Sequence, residues 1–361
     1  MSRSLGDPTF AILTTSETGF QPVLAESLAT SLKYFGAKSA VMQGAARWLN
    51  SPSGHHSVKR RIADGIYRMN ARRIVNRLKA FDAVIFVSNI PTAFLNSYFN
   101  DRWLRTCLPE TPLILYQNYY LPTRGKWASY LKAGNVSLGI PSPGHFGMER
   151  YDWYLCTSTV SEDPFPRQPQ RCSRIGLRLA SPELFPQQQE FRALVDFPRD
   201  AHKEEREIVT STLSKLRIPA TTLQGHYPRH KIREIYRNTS CYFVAHRESF
   251  GVPICELQAC GSLVFTPYND WCPSHWLKDD IHVCGEGRLT ENFRVYQNER
   301  SLLEEQLATA VRDWEPGIVR SRFLEEQGHF YWGDTTELAR FVENVRFGRI
   351  HSKLHKTELS Q

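Results

Sequence analysis

The stretch of this chain best equipped for chemistry is His246-Arg-Glu-Ser-Phe-Gly-Val-Pro-Ile-Cys-Glu-Leu-Gln-Ala-Cys-Gly261. It holds two acids, Glu248 and Glu256, with seven residues between them and Gly251 in the interval. The run Cys241-Tyr-Phe-Val-Ala ahead of it reads as a strand, and Pro253 to Cys260 reads as a helix with Pro at its first position and Gly261 at its stop. Glu248 falls in the connecting loop, from which it can point into a cleft. Gly251 has no Cβ and lets the backbone approach a ligand closely. Glu256 falls in the first helical turn, where its two carboxylate oxygens can accept hydrogen bonds from a vicinal diol such as a ribose. Helix N-termini at the carboxyl ends of parallel strands also offer unpaired N–H groups to anions. Together these features suit a nucleotide held by its sugar and its phosphates. Taken alone, each acid has a plainer reading: Glu256 as a complement to the helix dipole, worth about 0.3–1 kcal/mol, and Glu248 as a solvated loop acid.

Those residues need a scaffold, and the chain supplies one by alternation. Phe10-Ala-Ile-Leu-Thr-Thr is a buried-strand run, Thr18-Gly19 a turn, and from Pro22 runs a helix with Val23, Leu24, Leu28, Leu32 and Phe35 at helical spacing and Gly36 just past its end. Strands follow at Ala37-Lys-Ser-Ala-Val-Met, Phe81-Asp-Ala-Val-Ile-Phe-Val, Pro112-Leu-Ile-Leu-Tyr and Trp153-Tyr-Leu-Cys-Thr, with segments between them long enough for crossovers. Such βαβ alternation implies a parallel sheet covered by helices. Sequence rich in Pro and Gln between Asp163 and Gln189 marks an interdomain connection, with the boundary near Pro186. A second alternating series follows, so the expected fold class is α/β, two Rossmann-like doubly wound domains facing across a cleft. The expected organisation is an N-terminal domain over 1–186 that binds the acceptor, a C-terminal domain over 187–330 that binds the nucleotide, a helix over 331–348 that crosses back to the first domain, and a polar tail over 349–361.

Composition narrows the classes further. With 361 residues, 41% of them hydrophobic, the chain can bury two ordinary cores, which excludes disorder and a collagen-like repeat. No apolar run is long enough to span a bilayer, and the N-terminus lacks the pattern of a signal or transit peptide, so the expected location is cytoplasmic. The eight cysteines include no C-x-x-C pair and read as reduced core thiols. No H-E-x-x-H spacing occurs among the histidines, so no metal site is expected. Between Ser57 and Lys79, eight Lys and Arg stand against the single acid Asp64, a net +7 of the chain's +8. Ile62, Ile66, Met69, Ile74 and Leu78 fall on one side of this stretch, which makes it an amphipathic helix with its cations, among them Lys59, Arg60, Arg61, Arg68 and Arg72, on the other face.

The two acids and their surroundings carry a resemblance. Glu-Ser-Phe-Gly-Val-Pro-Ile-Cys-Glu from Glu248 to Glu256, followed by Ala259 and the Gly261-x-x-Val264 ending, resembles the signature of retaining glycosyltransferases of the GT-B fold, family four. A weaker likeness covers most of the chain. Thr18-Gly19-Phe20 is similar to the family's first glycine loop, Ile175 to Pro186 to the end of its first domain, Gly225-His-Tyr-Pro to the region before the acids, and Phe330-Tyr-Trp332 to its closing segment. Two departures stand out. The family's Gly-Arg and Lys-Gly are replaced by Val195-Asp-Phe-Pro-Arg199 and Lys203, and its first-domain histidine by Gln117-Asn118.

The resemblance implies a hexosyltransferase that takes a nucleotide diphosphate sugar as donor and needs no metal or other cofactor. In that scheme Glu248 orients the donor sugar, Glu256 holds the ribose, and Arg199 and Lys203 neutralise the diphosphate. Backbone N–H groups near Phe250 and Gly251, and Gly19 from the other domain, assist there, and His226 lies near the nucleobase. Charge grows on the departing phosphate as the glycosidic bond breaks, so donors aimed there lower the barrier most. The acceptor would be a hydroxyl of a glycan or a lipid-linked saccharide, and the basic helix would attract that acceptor or an anionic membrane. Two other readings fit some of the same residues. The basic face could bind nucleic acid, although it lacks interleaved aromatics and no zinc-finger spacing exists. A GT-B-fold sugar-nucleotide epimerase would share the architecture.

Overall fold

The structure, a computed structural model, describes residues 6–17, 19–49, 58–88, 101–117, 151–157, 172–199, 202–244, 251–267, 289–296 and 299–352. Contacts divide the chain into two units. The first comprises Met1–Thr159, Asp163–Arg178 and Asp334–Gln361, the second Val160–Glu162 and Leu179–Gly333. The change of unit at Arg178 lies ahead of Pro186 because the backbone N–H groups of Leu179 and Ala180 both donate to Tyr331 O, at 3.0 and 2.9 Å.

In the first unit the strands are β1 (Thr9–Leu13), β2 (Lys38–Met42), β3 (Ala83–Ser88), β4 (Leu113–Gln117), β5 (Trp153–Cys156) and β6 (Cys172–Arg174). They pair in parallel in the order β2-β1-β3-β4-β5-β6. Phe10 to Leu13 and Ala83 to Val87 are fully buried. That continuous burial is why these strands read as unbroken apolar runs rather than alternating ones. Helix α1 (Phe20–Lys33) turns Leu24, Leu28 and Leu32 inward at four-residue spacing. Each such burial contributes up to roughly 1.5–3 kcal/mol. Its cap, Gly19, has φ +81°, a backbone conformation that favours glycine. The last helix, Thr335–Arg346, starts where the Asp334 carboxylate accepts from Glu337 N at 2.9 Å. It stays with the first unit, where Phe341 packs 5.7 Å from Phe10, ring centre to ring centre.

The basic helix α2 (Val58–Leu78) forms, but its inward face differs from the expected one. Ala71, Val75 and Leu78 are buried, whereas Ile66 and Met69 are 48% and 46% exposed. At 100° per residue, 66 and 69 lie far round the helix from 71, 75 and 78, and the small Ala71 and Val75 fit against the sheet.

The second unit repeats the scheme with β7 (Ala193–Val195), β8 (Ala220–Thr222), β9 (Cys241–Phe243), β10 (Leu263–Pro267) and β11 (Phe293–Tyr296), parallel in the order β11-β10-β9-β7-β8. Phe243 and Phe265 stack at 4.7 Å in its core. After the short helix α3 (Asp101–Cys107) of the first unit, the helices that matter for the site are α4 (Lys203–Lys215), α5 (Arg229–Arg237) and α6 (Val252–Ala259). Gly261 stops α6 as expected, at φ +84°. A Cβ there would sit 2.6 Å from Pro316 Cβ and 2.7 Å from Pro316 O, so no other residue fits.

Candidate functional site

Because every strand pair described in the second unit is parallel, the loops carrying Arg199, His226 and Gly251 all leave the same edge of the sheet. Strand β7 has β8 on one side and β9 on the other. Connections leaving in opposite directions open a crevice at the carboxyl ends of the strands, the usual ligand position in a doubly wound sheet. A cavity of about 20 Å³ sits there, lined among others by Asp196, Phe197, Arg199, His202, Glu205 and Arg206. That volume holds about one water. Arg206 Nη1 and His202 Nδ1 are buried without a hydrogen-bond partner among the described residues, and His202 Nδ1 lies 3.6 Å from Glu205 Oε1. Arg199 is exposed at the rim. Lys203 does not line the cavity. It is exposed and lies 3.9 Å from Glu207 along its own helix. Arg206, which the sequence reading missed, takes the inward position.

Glu256 lies deeper. Helix α6 begins at Val252, with Pro253 one position further in, so Glu256 is its fifth residue and belongs to the second turn rather than the first. The dipole reading of this acid therefore loses its basis, since that effect fades within one turn. Glu256 is 5% exposed and its partner is Arg233 of α5, 4% exposed. Arg233 Nη2 and Nε donate to the same oxygen, Glu256 Oε1, at 2.6 and 3.2 Å. Arg233 Nη1 donates to Glu183 Oε2 at 2.6 Å and to Ser181 Oγ at 3.0 Å. Among the described residues nothing hydrogen-bonds to Glu256 Oε2. Arg229 Nη2, one turn earlier on α5, is 4.0 Å from Oε1.

The electrostatics follow from this cluster. Burial lowers the affinity of Arg233 for its proton, but Glu256 and Glu183 outweigh that and hold its pKa above the ordinary value. The hydrogen bond from Arg233 holds the Glu183 carboxyl below the ordinary carboxylate range. Arg229 is pushed down, by burial first and then by the like charge of Arg233. Burial, reinforced by Glu256, raises the Cys260 thiol to about 12, so this cysteine stays protonated. Among the described residues no disulfide joins the cysteines at 107, 156, 172, 241, 255 and 260.

Gly251 caps α6 with φ 171°, extended backbone open to any residue, and among the described residues no side chain caps the helix there. That leaves the N–H groups of Val252 and Ile254 for another acceptor, since Pro253 has none and Cys255 N donates to Gly251 O at 3.0 Å. His226 is exposed. Glu248 and Phe250 lie outside the described residues, as do the side chains of Lys59, Arg60 and Arg61, while Arg68 and Arg72 are exposed on α2. No cluster of His, Cys, Asp and Glu suited to a metal occurs among the described residues. No described helix is long and apolar enough to cross a membrane.

The same architecture occurs in solved structures. The catalytic domain of starch synthase IV from Arabidopsis thaliana, bound to ADP and acarbose, superimposes with a TM-score of 0.52 at 10% identity, covering 96% of this chain and 99% of its own. The fold is that of GT-B glycosyltransferases. UDP-GlcNAc 2-epimerase from Neisseria meningitidis bound to UDP-GlcNAc matches it equally, at 0.52 and 8% identity over 93% of this chain and 98% of its own. MnaA of S. aureus in complex with UDP follows at 0.51 and 8% over 95% and 97%. No protein-family profile matches the chain. No curated protein matches it either. At such identities the likeness concerns the GT-B fold, which houses both transfer and epimerisation.

Proposed function

We propose that this protein is a retaining glycosyltransferase that moves a sugar from a nucleotide diphosphate donor to an acceptor hydroxyl. The observation that carries the reading is Glu256: a buried carboxylate with one oxygen held by Arg233 and the other without a described partner, eight positions after Glu248 in a family-four-like motif. Glu256 accepts hydrogen bonds from the ribose hydroxyls. Arg199 and Arg206 neutralise the diphosphate as charge grows on it, helped by the N–H groups of Val252 and Ile254 at the N-terminus of α6. Glu248 orients the donor sugar and stabilises its positive, oxocarbenium-like ring. The acceptor hydroxyl attacks from the leaving group's side, and its proton passes to a phosphate oxygen of the departing nucleotide, which preserves the anomeric configuration.

The test is to incubate the protein with a panel of nucleotide sugars and follow hydrolysis and transfer in the wild type, Glu256→Gln and Glu248→Ala. Loss of product in both variants supports the mechanism, and rates near wild type in both remove it. Two structural neighbours of comparable similarity act on or bind UDP compounds without being named as transferases, which gives an epimerase reading its support. Product analysis separates the two, since an epimerase returns an intact nucleotide sugar and a transferase releases the nucleotide diphosphate.

The acceptor side of the proposal rests on α2. Its exposed surface combines Arg68, Arg72, Arg73 and Arg77 with the half-exposed Ile66 and Met69. Cations around exposed apolar side chains suit the surface of an anionic bilayer, at about 1 kcal/mol per Lys or Arg near the surface. A lipid-linked saccharide is therefore the acceptor class favoured. Sedimentation with anionic and neutral vesicles at two salt concentrations tests it, and equal negligible binding in all four conditions rejects it.

A further inference from the structure

We infer that Arg233 is the positioning residue of the ribose site, fixing Glu256 so that a single carboxylate oxygen, Oε2, receives both hydroxyls of the nucleotide's diol. This rests on the reading of Glu256 as the ribose acid. The geometry behind it is an accounting of donors and acceptors. Arg233 uses Nε and Nη2 on Oε1 alone and turns Nη1 away to Glu183 and Ser181. A carboxylate oxygen has about two acceptor directions, so Oε1 is filled by the guanidinium. Both remaining directions belong to Oε2, and a vicinal diol brings two O–H donors.

Arg233 is itself held at both ends. Glu183 and Ser181 come from the segment between Leu179 and Pro186, and Glu256 from α6, so the guanidinium cannot rotate without abandoning one of them. A glutamate free to rotate would lose side-chain entropy on binding a sugar, and here that loss is met in the folded protein before any ligand arrives. The arrangement also predicts selectivity. A nucleotide lacking the two hydroxyls covers Oε2 without pairing it, so it should bind about 10–100-fold more weakly.

The experiment measures dissociation constants by calorimetry on the full chain with UDP, ADP and GDP, and with the 2′,3′-dideoxy form of whichever binds. In the wild type the ribonucleotide should bind at least about 10-fold better than its dideoxy form. Arg233→Met should reduce that preference to within about twofold while leaving the dideoxy affinity unchanged, and Arg233→Lys should restore part of it. A purely structural role would weaken both ligands together. Retention of the full preference in Arg233→Met overturns the inference. If Arg233→Met does not fold, the double variant Glu183→Gln with Ser181→Ala frees Nη1 only. It should lower the preference about threefold at constant dideoxy affinity, and an unchanged preference there also overturns it. The underlying ribose reading fails in a different way: the wild type binds none of the nucleotides, shows no preference, or keeps its preference in Glu256→Gln.

Discussion

Arg233 and Glu256 form a buried ion pair between neighbouring helices, with Nη2 2.6 Å from Oε1 and both side chains at least nine-tenths covered. Burying two charges is costly unless hydrogen bonds compensate, and Arg233 makes four of them, two to Glu256 and one each to Glu183 and Ser181. The pair therefore joins α5 to α6 while leaving one carboxylate oxygen for a ligand.

Removing the acid should be felt as lost stability. Deleting one partner of a buried pair costs about 3–5 kcal/mol, and the surviving contact of Arg233 with Glu183 puts Glu256→Ala near the lower end. At about 2–4 °C per kcal/mol for a domain of this size, the melting temperature should fall by about 6–12 °C. Differential scanning calorimetry checks this, and a shift below one degree would mean that the pair does not hold the helices together.

Much of this arrangement is legible in the sequence, and the rest is hidden for identifiable reasons. The strands at Phe10 and Ala83 announce themselves because both faces of a parallel sheet are buried, and Gly261 marks the end of α6 because only glycine fits against Pro316. Glu256 stands out by its spacing from Glu248. Its partner does not. Arg229, Arg233 and Arg237 repeat every fourth residue on α5, and nothing in their spacing says that the middle one turns inward to an acid 23 positions later. Lys203 and Arg206 share one helix, and which of them lines the crevice depends on the start of that helix relative to β7. On α2, hydrophobicity pointed to Ile66 and Met69, whereas packing against the sheet selects the smaller Ala71 and Val75.

The pH dependence of stability should report on Glu183. Its folded pKa is depressed below the ordinary 4.5 by the hydrogen bond from Arg233, so its contribution is complete above that value and is lost as pH falls through the folded pKa. The carboxylate is half exposed, which keeps the effect small and sensitive to salt. Urea midpoints of wild type and Glu183→Gln should differ by a constant amount from pH 6 to 8, taken as about two units clear of the transition, and converge in acid. A difference that grows on acidification would contradict the ion pair.

Two glycines with similar backbone angles should respond differently to the same substitution. Gly19 and Gly261 have φ of +81° and +84°, but a Cβ at Gly19 meets nothing within 4 Å, whereas at Gly261 it runs into Pro316. Gly19→Ala should therefore cost about 1–2 kcal/mol of backbone strain. Gly261→Ala adds the clash and should exceed about 3 kcal/mol. Denaturant midpoints give both values, and equal costs would refute the close approach.

The exposed apolar residues of α2 allow membrane binding to be separated from folding. Ile66→Ser with Met69→Ser should leave stability within about 0.5 kcal/mol, since neither side chain belongs to the core. Val75→Asp, at a buried position, should unfold the first unit. If the double variant stays folded yet binds anionic vesicles as well as the wild type does, the apolar part of the docking surface is excluded.

The crevice between β7 and β9 gives the last prediction its sign. Arg206 lines it with Nη1 unpaired among the described residues, and Arg199 stands at its rim, while Lys203 lies alongside Glu207 in solvent. A diphosphate gains a charge-assisted hydrogen bond from a cation only where that cation can reach it. Arg206→Gln should weaken binding of a nucleoside diphosphate about 10-fold while leaving the parent nucleoside unaffected, because the nucleoside carries no phosphate to contact. Arg199→Gln should act in the same direction, and Lys203→Gln should change either affinity less than about twofold. Titrations of diphosphate and nucleoside into each variant decide it. A Lys203 effect larger than that of Arg206 would return the diphosphate to the position expected from the family's motif, and would mean that helix α4 turns its other face to the ligand.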